Sequence, residues 1–108
     1  MEDESEISVK ELKRLFDNGA QVRLVDVREQ YEYDFCHIEG STLIPVRQIW
    51  ARINELNPEN EYVFYCHVGE RSGWVVNLLR QHGFKKVKNL KGGIDQWAVE
   101  IDPSTPRY

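Results

Sequence analysis

The sequence predicts an α/β domain with a mostly parallel central sheet and helices on both faces. Three observations carry this. Short apolar, β-prone runs at 22–25, 42–44, 62–65 and 86–90 alternate with stretches of helical spacing, an order that produces crossover connections and a parallel sheet. The run Tyr62-Val63-Phe64-Tyr65 is apolar at every position, as expected of a strand buried on both faces. The 108 residues suffice for one domain with its own core and are too few for two.

The elements follow in order. Residues 1–6 are acidic and polar and read as a flexible N-terminus, 7–100 as the domain, and 101–108, with two prolines, as an extended tail. Ser8-Val9-Lys10-Glu11 has the pattern of a capping box, so a helix is expected from about 9 to 16, with Leu12, Leu15 and Phe16 as its buried stripe. Asn18-Gly19 ends it, and Val22-Arg23-Leu24-Val25 forms a strand with Asp26 at its carboxyl end. A short helix at 29–35 and a strand at 42–44, stopped by Pro45, come next. Ile49, Trp50 and Ile53 give 46–56 a helical spacing, and Asn57-Pro58-Glu59-Asn60 is a turn. After strand 62–65 a helix is expected over 72–82, closed by Gly83. Strand 86–90 leads through Gly92-Gly93, which should permit close backbone packing, into a last helix toward Trp97.

Composition narrows the function. With 41% hydrophobic and 30% charged residues, the chain reads as an ordinary globular domain. A net charge of -4, with only Lys85, Lys86 and Lys88 as a basic cluster, argues against nucleic acid as a partner. No apolar stretch is long enough to span a membrane, and the start Met1-Glu2-Asp3-Glu4 is the opposite of a signal peptide. Cys36 and Cys66 form neither a CxxC pair nor a zinc-like cluster, and three scattered histidines make no metal site, so no cofactor or metal is expected. A reducing cytoplasm is the expected setting, and nothing demands more than a monomer.

The chemistry is concentrated after strand 62–65. Cys66 ends that strand, and His67-Val68-Gly69-Glu70-Arg71-Ser72 follows as a short loop running into a helix. In an open parallel sheet the site lies beyond the carboxyl ends of the strands. The loop should turn successive N–H groups inward as an anion-binding nest, with Gly69 free to take a positive φ. The helix start and Arg71 add positive charge, conditions that favour a thiolate and anionic adducts on its sulfur. An inert, buried Cys66 is the plainer alternative, and the Gly–Arg–Ser sequence behind it argues against that. Four residues separate Cys66 from Arg71. Cysteine phosphatases use a longer spacing, so this ring should enclose a smaller group, such as one sulfur atom.

The order and spacing of these motifs resemble a single rhodanese domain, the sulfurtransferase family. The resemblance rests on Leu24-Val25-Asp26-Val27-Arg28-Glu29, Tyr31, Tyr33, His37-Ile38-Glu39-Gly40, Ile44-Pro45, Cys66 through Ser72, Gly83-Phe84, Leu90-Lys91-Gly92-Gly93 and Trp97. It covers nearly the whole chain and implies a rhodanese-like fold. Cys36 stands where the family commonly has glycine, Ser41-Thr42 replaces a common Gly-Ala, and Glu70 brings a negative charge into the loop. The ending Asp102-Pro103 through Pro106-Arg107-Tyr108 resembles that of rhodanese domains fused to ubiquitin-activating-like sulfurylation enzymes.

The activity this implies is double displacement through a Cys66 persulfide. A donor such as thiosulfate would load the sulfur, and cyanide or a thiol would remove it. His67, Val68, Gly69, Glu70, Arg71 and Ser72 would bind the transferred group, with Arg71 attracting the anionic donor and Ser72 capping the helix. Partners would be small sulfur donors and acceptors, or sulfur-carrier and persulfide proteins. A non-catalytic interaction module and a cysteine phosphatase or arsenate reductase are the competing readings.

Several other residues have plainer roles. Asp26, Arg28 and Glu32 read as an ion-pair set fixing the turn after the first strand. His67 is expected to face solvent or the pocket mouth, and His37 to order its own turn. Trp50 reads as pocket lining or core, and Trp74 and Trp97 as core. Cys36 reads as a packed small hydrophobe, with a thiol relaying sulfur from Cys66 as the sharper alternative.

Overall fold

The computed structural model describes residues 4–108. Five strands form one parallel sheet: β1 (Glu6–Ile7), β2 (Arg23–Asp26), β3 (Thr42–Leu43), β4 (Tyr62–Tyr65) and β5 (Val87–Leu90), in the spatial order β1-β5-β4-β2-β3. The helices are α1 (Val9–Asp17), α2 (Gln30–Phe35), α3 (Glu70–Gln81) and α4 (Gly93–Glu100). β4 is central and buried at all four positions, as its unbroken apolar run requires.

Alternation along the strands sorts the core into two layers. Val25, Phe64, Cys66 and Val87 point to one face, where Val75, Val76 and Leu79 of α3 pack with Ile49. Leu24, Val63, Tyr65 and Leu90 point to the other, where Leu12 of α1 packs with Ile94 and Trp97 of α4. The Ser8 side chain accepts the Glu11 N–H and so caps α1, as the sequence pattern predicts.

The chain leaves β2 toward β3 on one side and continues from β4 to β5 on the other. The carboxyl ends of β2 and β4 therefore flank the point where strand order reverses, the crevice in which such sheets place their ligands. β2 and β4 pair in register, with Asp26 opposite Tyr65, one residue before Cys66.

Some expectations are corrected. Glu6 belongs to edge strand β1 rather than to a flexible start, and the Ser5 carbonyl accepts the Asn89 N–H at 2.7 Å; residues 1–3 of the expected flexible segment lie outside the described residues. A two-residue strand is too short for periodicity to reveal. The stretch 46–56 is not one helix but two 3-10 turns, Val46–Gln48 and Ile53–Glu55. The 3-10 repeat brings i and i+3 together, so its apolar spacing resembles that of a helix. α3 begins at Glu70, two residues before the expected start. The tail is not extended: the Asp102 carboxylate accepts from the Ser104 N–H and hydroxyl, and its carbonyl accepts the Thr105 N–H, which turns the chain back. Trp50 and Trp74 are exposed rather than core, Trp50 lying against the His82 ring, whereas Trp97 is buried. No helix among the described residues is long and apolar enough to cross a membrane.

The Gly92-Gly93 pair ties α4 to the end of β4. Both residues have positive φ, and a Cβ on Gly93 would lie 2.4 Å from the His67 carbonyl oxygen and 2.5 Å from that of Cys66. Those two carbonyls accept the N–H groups of Asp95 and Ile94, each at 3.0 Å. Gly93→Ala combines a left-handed backbone with a backbone clash, so it should cost at least about 2 kcal/mol of unfolding free energy. Urea denaturation measures this; a loss below about 0.5 kcal/mol would contradict the packing described.

Candidate active site

Cys66 follows the last residue of β4 and is buried. Gly69 turns the chain with φ of 104° and occupies the N-cap position of α3 without a side chain to offer. The first N–H groups of a helix lack intrahelical acceptors. Here the Cys66 sulfur supplies one: Sγ accepts from the Gly69 N–H at 3.2 Å and from the Ser72 N–H at 3.4 Å, and the Ser72 hydroxyl lies 3.3 Å away. Ser72 is the third residue of α3, so sulfur takes the place of a capping side chain. Negative charge on that sulfur meets N–H donors and the positive end of α3.

Asn89 of β5 closes this arrangement from below, and the sequence reading missed it. Its side-chain NH2 donates to the Gly69 carbonyl at 3.1 Å, and its Oδ1 lies 2.5 Å from the Ser72 hydroxyl oxygen. A polar residue between the buried Val87 and Leu90 was the available signal.

Arg71 is part-buried. It makes a two-pronged ion pair with Glu32 of α2, Nη1 to Oε1 at 2.7 Å and Nη2 to Oε2 at 2.9 Å, across the crevice between the loops after β2 and β4. Arg71 thereby clamps α3 to α2, a contact the sequence did not indicate. Hydrogen bonds from Arg71 hold the Glu32 carboxyl down at about 2, against the opposing effect of burial. Arg71 is raised in turn by Glu32.

Glu32 thus belongs to the loop's support rather than to the Asp26–Arg28 turn. Asp26 and Arg28 are fully buried and paired at 2.7 Å, and Arg28 also donates to the Cys36 carbonyl at 2.6 Å. Burial opposes the Arg28 charge, but Asp26 and Tyr108 more than offset it, leaving Arg28 above its ordinary value.

Tyr108 links the two pairs, a contact no sequence signal announces. Its hydroxyl accepts from Arg28 at 2.8 Å and donates to Glu32 at 2.7 Å. Burial pushes the phenol up to about 12. The His67 ring stacks on the Tyr108 ring with centroids 4.0 Å apart, and His67 is half-buried. Its Nε2 is buried without a hydrogen-bond partner among the described residues. Arg107 pairs with Asp95 at 2.9 Å and anchors the same segment to α4.

Val68 and Glu70 are exposed, Glu70 in the first turn of α3, where an acidic side chain suits the helix dipole. Cys36 packs on the α1/α4 face and donates to the Pro106 carbonyl at 3.5 Å. Cys66 packs in the other core layer, on the α3 face. No group of three or more metal-ligating side chains occurs among the described residues.

Comparison with known proteins fits this geometry. A family profile described as rhodanese-like domain matches residues 8–100. The putative sulfur carrier protein YrkF of Bacillus subtilis is 38% identical over 97 residues, covering 90% of this chain and 52% of that protein. The probable adenylyltransferase/sulfurtransferase MoeZ of Mycobacterium tuberculosis is 34% identical over 106 residues, covering 96% of this chain and 27% of that protein. The chain spans about half or less of the length of these curated relatives. The solved structure of the human single-domain sulfurtransferase TSTD1 superposes with a TM-score of 0.81 at 26% identity, covering 91% of this chain and 98% of that one.

The Glu32–Arg71 pair makes acid stability testable. Glu32 falls from its unfolded value of 4.5 to about 2, so its contribution is complete above pH 4.5 and is lost as pH drops toward 2. Glu32→Gln should lower stability at pH 7 by on the order of 2 kcal/mol, allowing for the exposure of Arg71, and should flatten the acid limb. Urea midpoints measured from pH 7 to pH 2 would expose the error if the variant kept the full acid-induced loss.

Proposed function

The chain belongs to the rhodanese-like family, and on that premise we propose that it is a sulfurtransferase carrying sulfur as a persulfide on Cys66. The observation that carries the reading is the Cys66 sulfur lodged at the start of α3, where the Gly69 and Ser72 N–H groups point at it. The names of relatives, sulfur carrier and sulfurtransferase, support the same reading.

The proposed reaction is a double displacement. The Cys66 thiolate attacks the outer sulfur of a donor such as thiosulfate. The donor's S–S bond breaks, sulfite leaves with the electron pair, and a Cys66–S–S⁻ persulfide remains. A nucleophile then attacks the terminal sulfur: cyanide departs as thiocyanate, or a thiolate departs as a new persulfide, and the Cys66 thiolate returns. The helix start offers the extra sulfur its orphan N–H groups, and the Arg71 charge, shared with Glu32, lies beside it. Glu70 tempers that field, which favours protein persulfides and thiols as physiological partners over dianionic thiosulfate.

Intact-protein mass spectrometry after brief exposure to thiosulfate, and separately to a protein persulfide, tests this. The native chain should gain one sulfur atom with at least one donor and lose it to cyanide, whereas Cys66→Ala should gain none. Failure to gain sulfur from either donor, or an equal gain by Cys66→Ala, would overturn the proposal. Turnover of a phosphoester or arsenate would support the competing enzyme class.

A further inference from the structure

We propose that Asn89 is a positioning residue for Cys66, competing with the sulfur for the single proton of the Ser72 hydroxyl. Asn89 is 5% exposed and lies on β5 two residues after Val87, so it points to the same face of the sheet as Cys66 and α3. Its amide orientation is fixed. The side-chain NH2 donates to the Gly69 carbonyl, and a flipped amide would set two oxygens against each other there. Oδ1 must therefore face the Ser72 hydroxyl, at 2.5 Å, while the Cys66 sulfur stands 3.3 Å away on another side.

A hydroxyl has one proton. It serves Asn89 Oδ1 or the Cys66 sulfur but not both, and when it points to Asn89 an oxygen lone pair faces sulfur. That suits a neutral thiol, whose S–H can donate to it. When the sulfur carries negative charge, the hydroxyl must turn away from Asn89 to donate to it. Asn89 thus opposes the charged sulfur through Ser72 and anchors the loop through Gly69.

Two glycines make room for this side chain. A Cβ on Gly69 would lie 3.7 Å from the Asn89 amide nitrogen, and one on Gly73 only 3.3 Å from it. Gly73 is the glycine inside α3, a position where glycine costs about 0.5–1 kcal/mol relative to alanine. Its proximity to the Asn89 amide supplies the reason for that cost.

The charged and titratable groups on the surrounding elements include His67 on the loop, Glu70 and Arg71 on α3, Glu32 on α2, Asp26 and Arg28 at the end of β2, Tyr65 at the end of β4, Asp95 on α4, and Arg107 and Tyr108 beyond it. The test variants alter none of them.

The test is the pH profile of Cys66 alkylation by iodoacetamide, followed on the Cys66 peptide by mass spectrometry. It needs no sulfur donor, so its outcome is independent of whether the protein transfers sulfur. Asn89→Ala releases the Ser72 proton to sulfur, and the midpoint should move down by roughly half a unit to one unit, the scale of one neutral hydrogen bond. In a Ser72→Ala background the same change should produce no shift. Gly73→Ala, which favours the helix but presses on the Asn89 amide, should move the midpoint in the same direction by less. An unmoved midpoint in folded Asn89→Ala, or a shift that persists without the Ser72 hydroxyl, would overturn the proposal. If Asn89→Ala does not fold, an unmoved midpoint in Gly73→Ala overturns it.

Discussion

The site depends on one substitution of roles: a cysteine sulfur stands where a helix ordinarily has a capping oxygen. Gly69 gives α3 a left-handed entry and no side chain, so the N–H of Ser72 would be orphaned in a buried position. The Cys66 sulfur accepts it. The helix needs the sulfur as an acceptor, and the sulfur gains donors suited to carrying charge. Structure and chemistry make the same demand on this atom, which is why the strand must end just before Cys66 and the helix must begin within a few residues.

The surrounding architecture keeps that geometry from relaxing. From one side α4 docks its N–H groups onto the Cys66 and His67 carbonyls, at a distance only glycine at 93 permits. From the other, Arg71 is clasped by Glu32, and Tyr108 joins that pair to the buried Asp26–Arg28 pair. The charged set alternates in sign, so each buried group has a compensating neighbour and none carries an unpaired charge. The loop is therefore braced by elements following β2, β4 and β5, around the point between β2 and β4 where strand order reverses.

Much of this was legible in the sequence because it is local. The all-apolar Tyr62–Tyr65 run, the capping pattern at Ser8 and the Cys66–Ser72 loop each declare themselves within a few residues, and the order of motifs gave the family. What escaped was set by contacts across the chain. Asn89 meets Ser72 over 17 positions, Glu32 meets Arg71 over 39, and Tyr108 meets Arg28 over 80. No periodicity encodes such pairings. The 46–56 stretch failed differently: 3-10 turns and α-helices share the i, i+3 spacing, so the pattern was real and its reading as one helix was not. Trp50 and Trp74 follow the usual preference for burial only weakly, since large apolar side chains are common on protein surfaces.

Amide hydrogen exchange of Gly69 and Ser72, resolved residue by residue by NMR in the native protein and in Cys66→Ala, tests most directly whether the sulfur closes the start of α3. Both amides should be protected in the native protein and exchange at least about tenfold faster without the sulfur, consistent with the loss of one hydrogen bond of about 1.4 kcal/mol, while Val75 and Val76 in the same helix keep their rates. Equal exchange at Gly69 and Ser72 in the two proteins would contradict it, because the helix would then be capped by something other than Cys66.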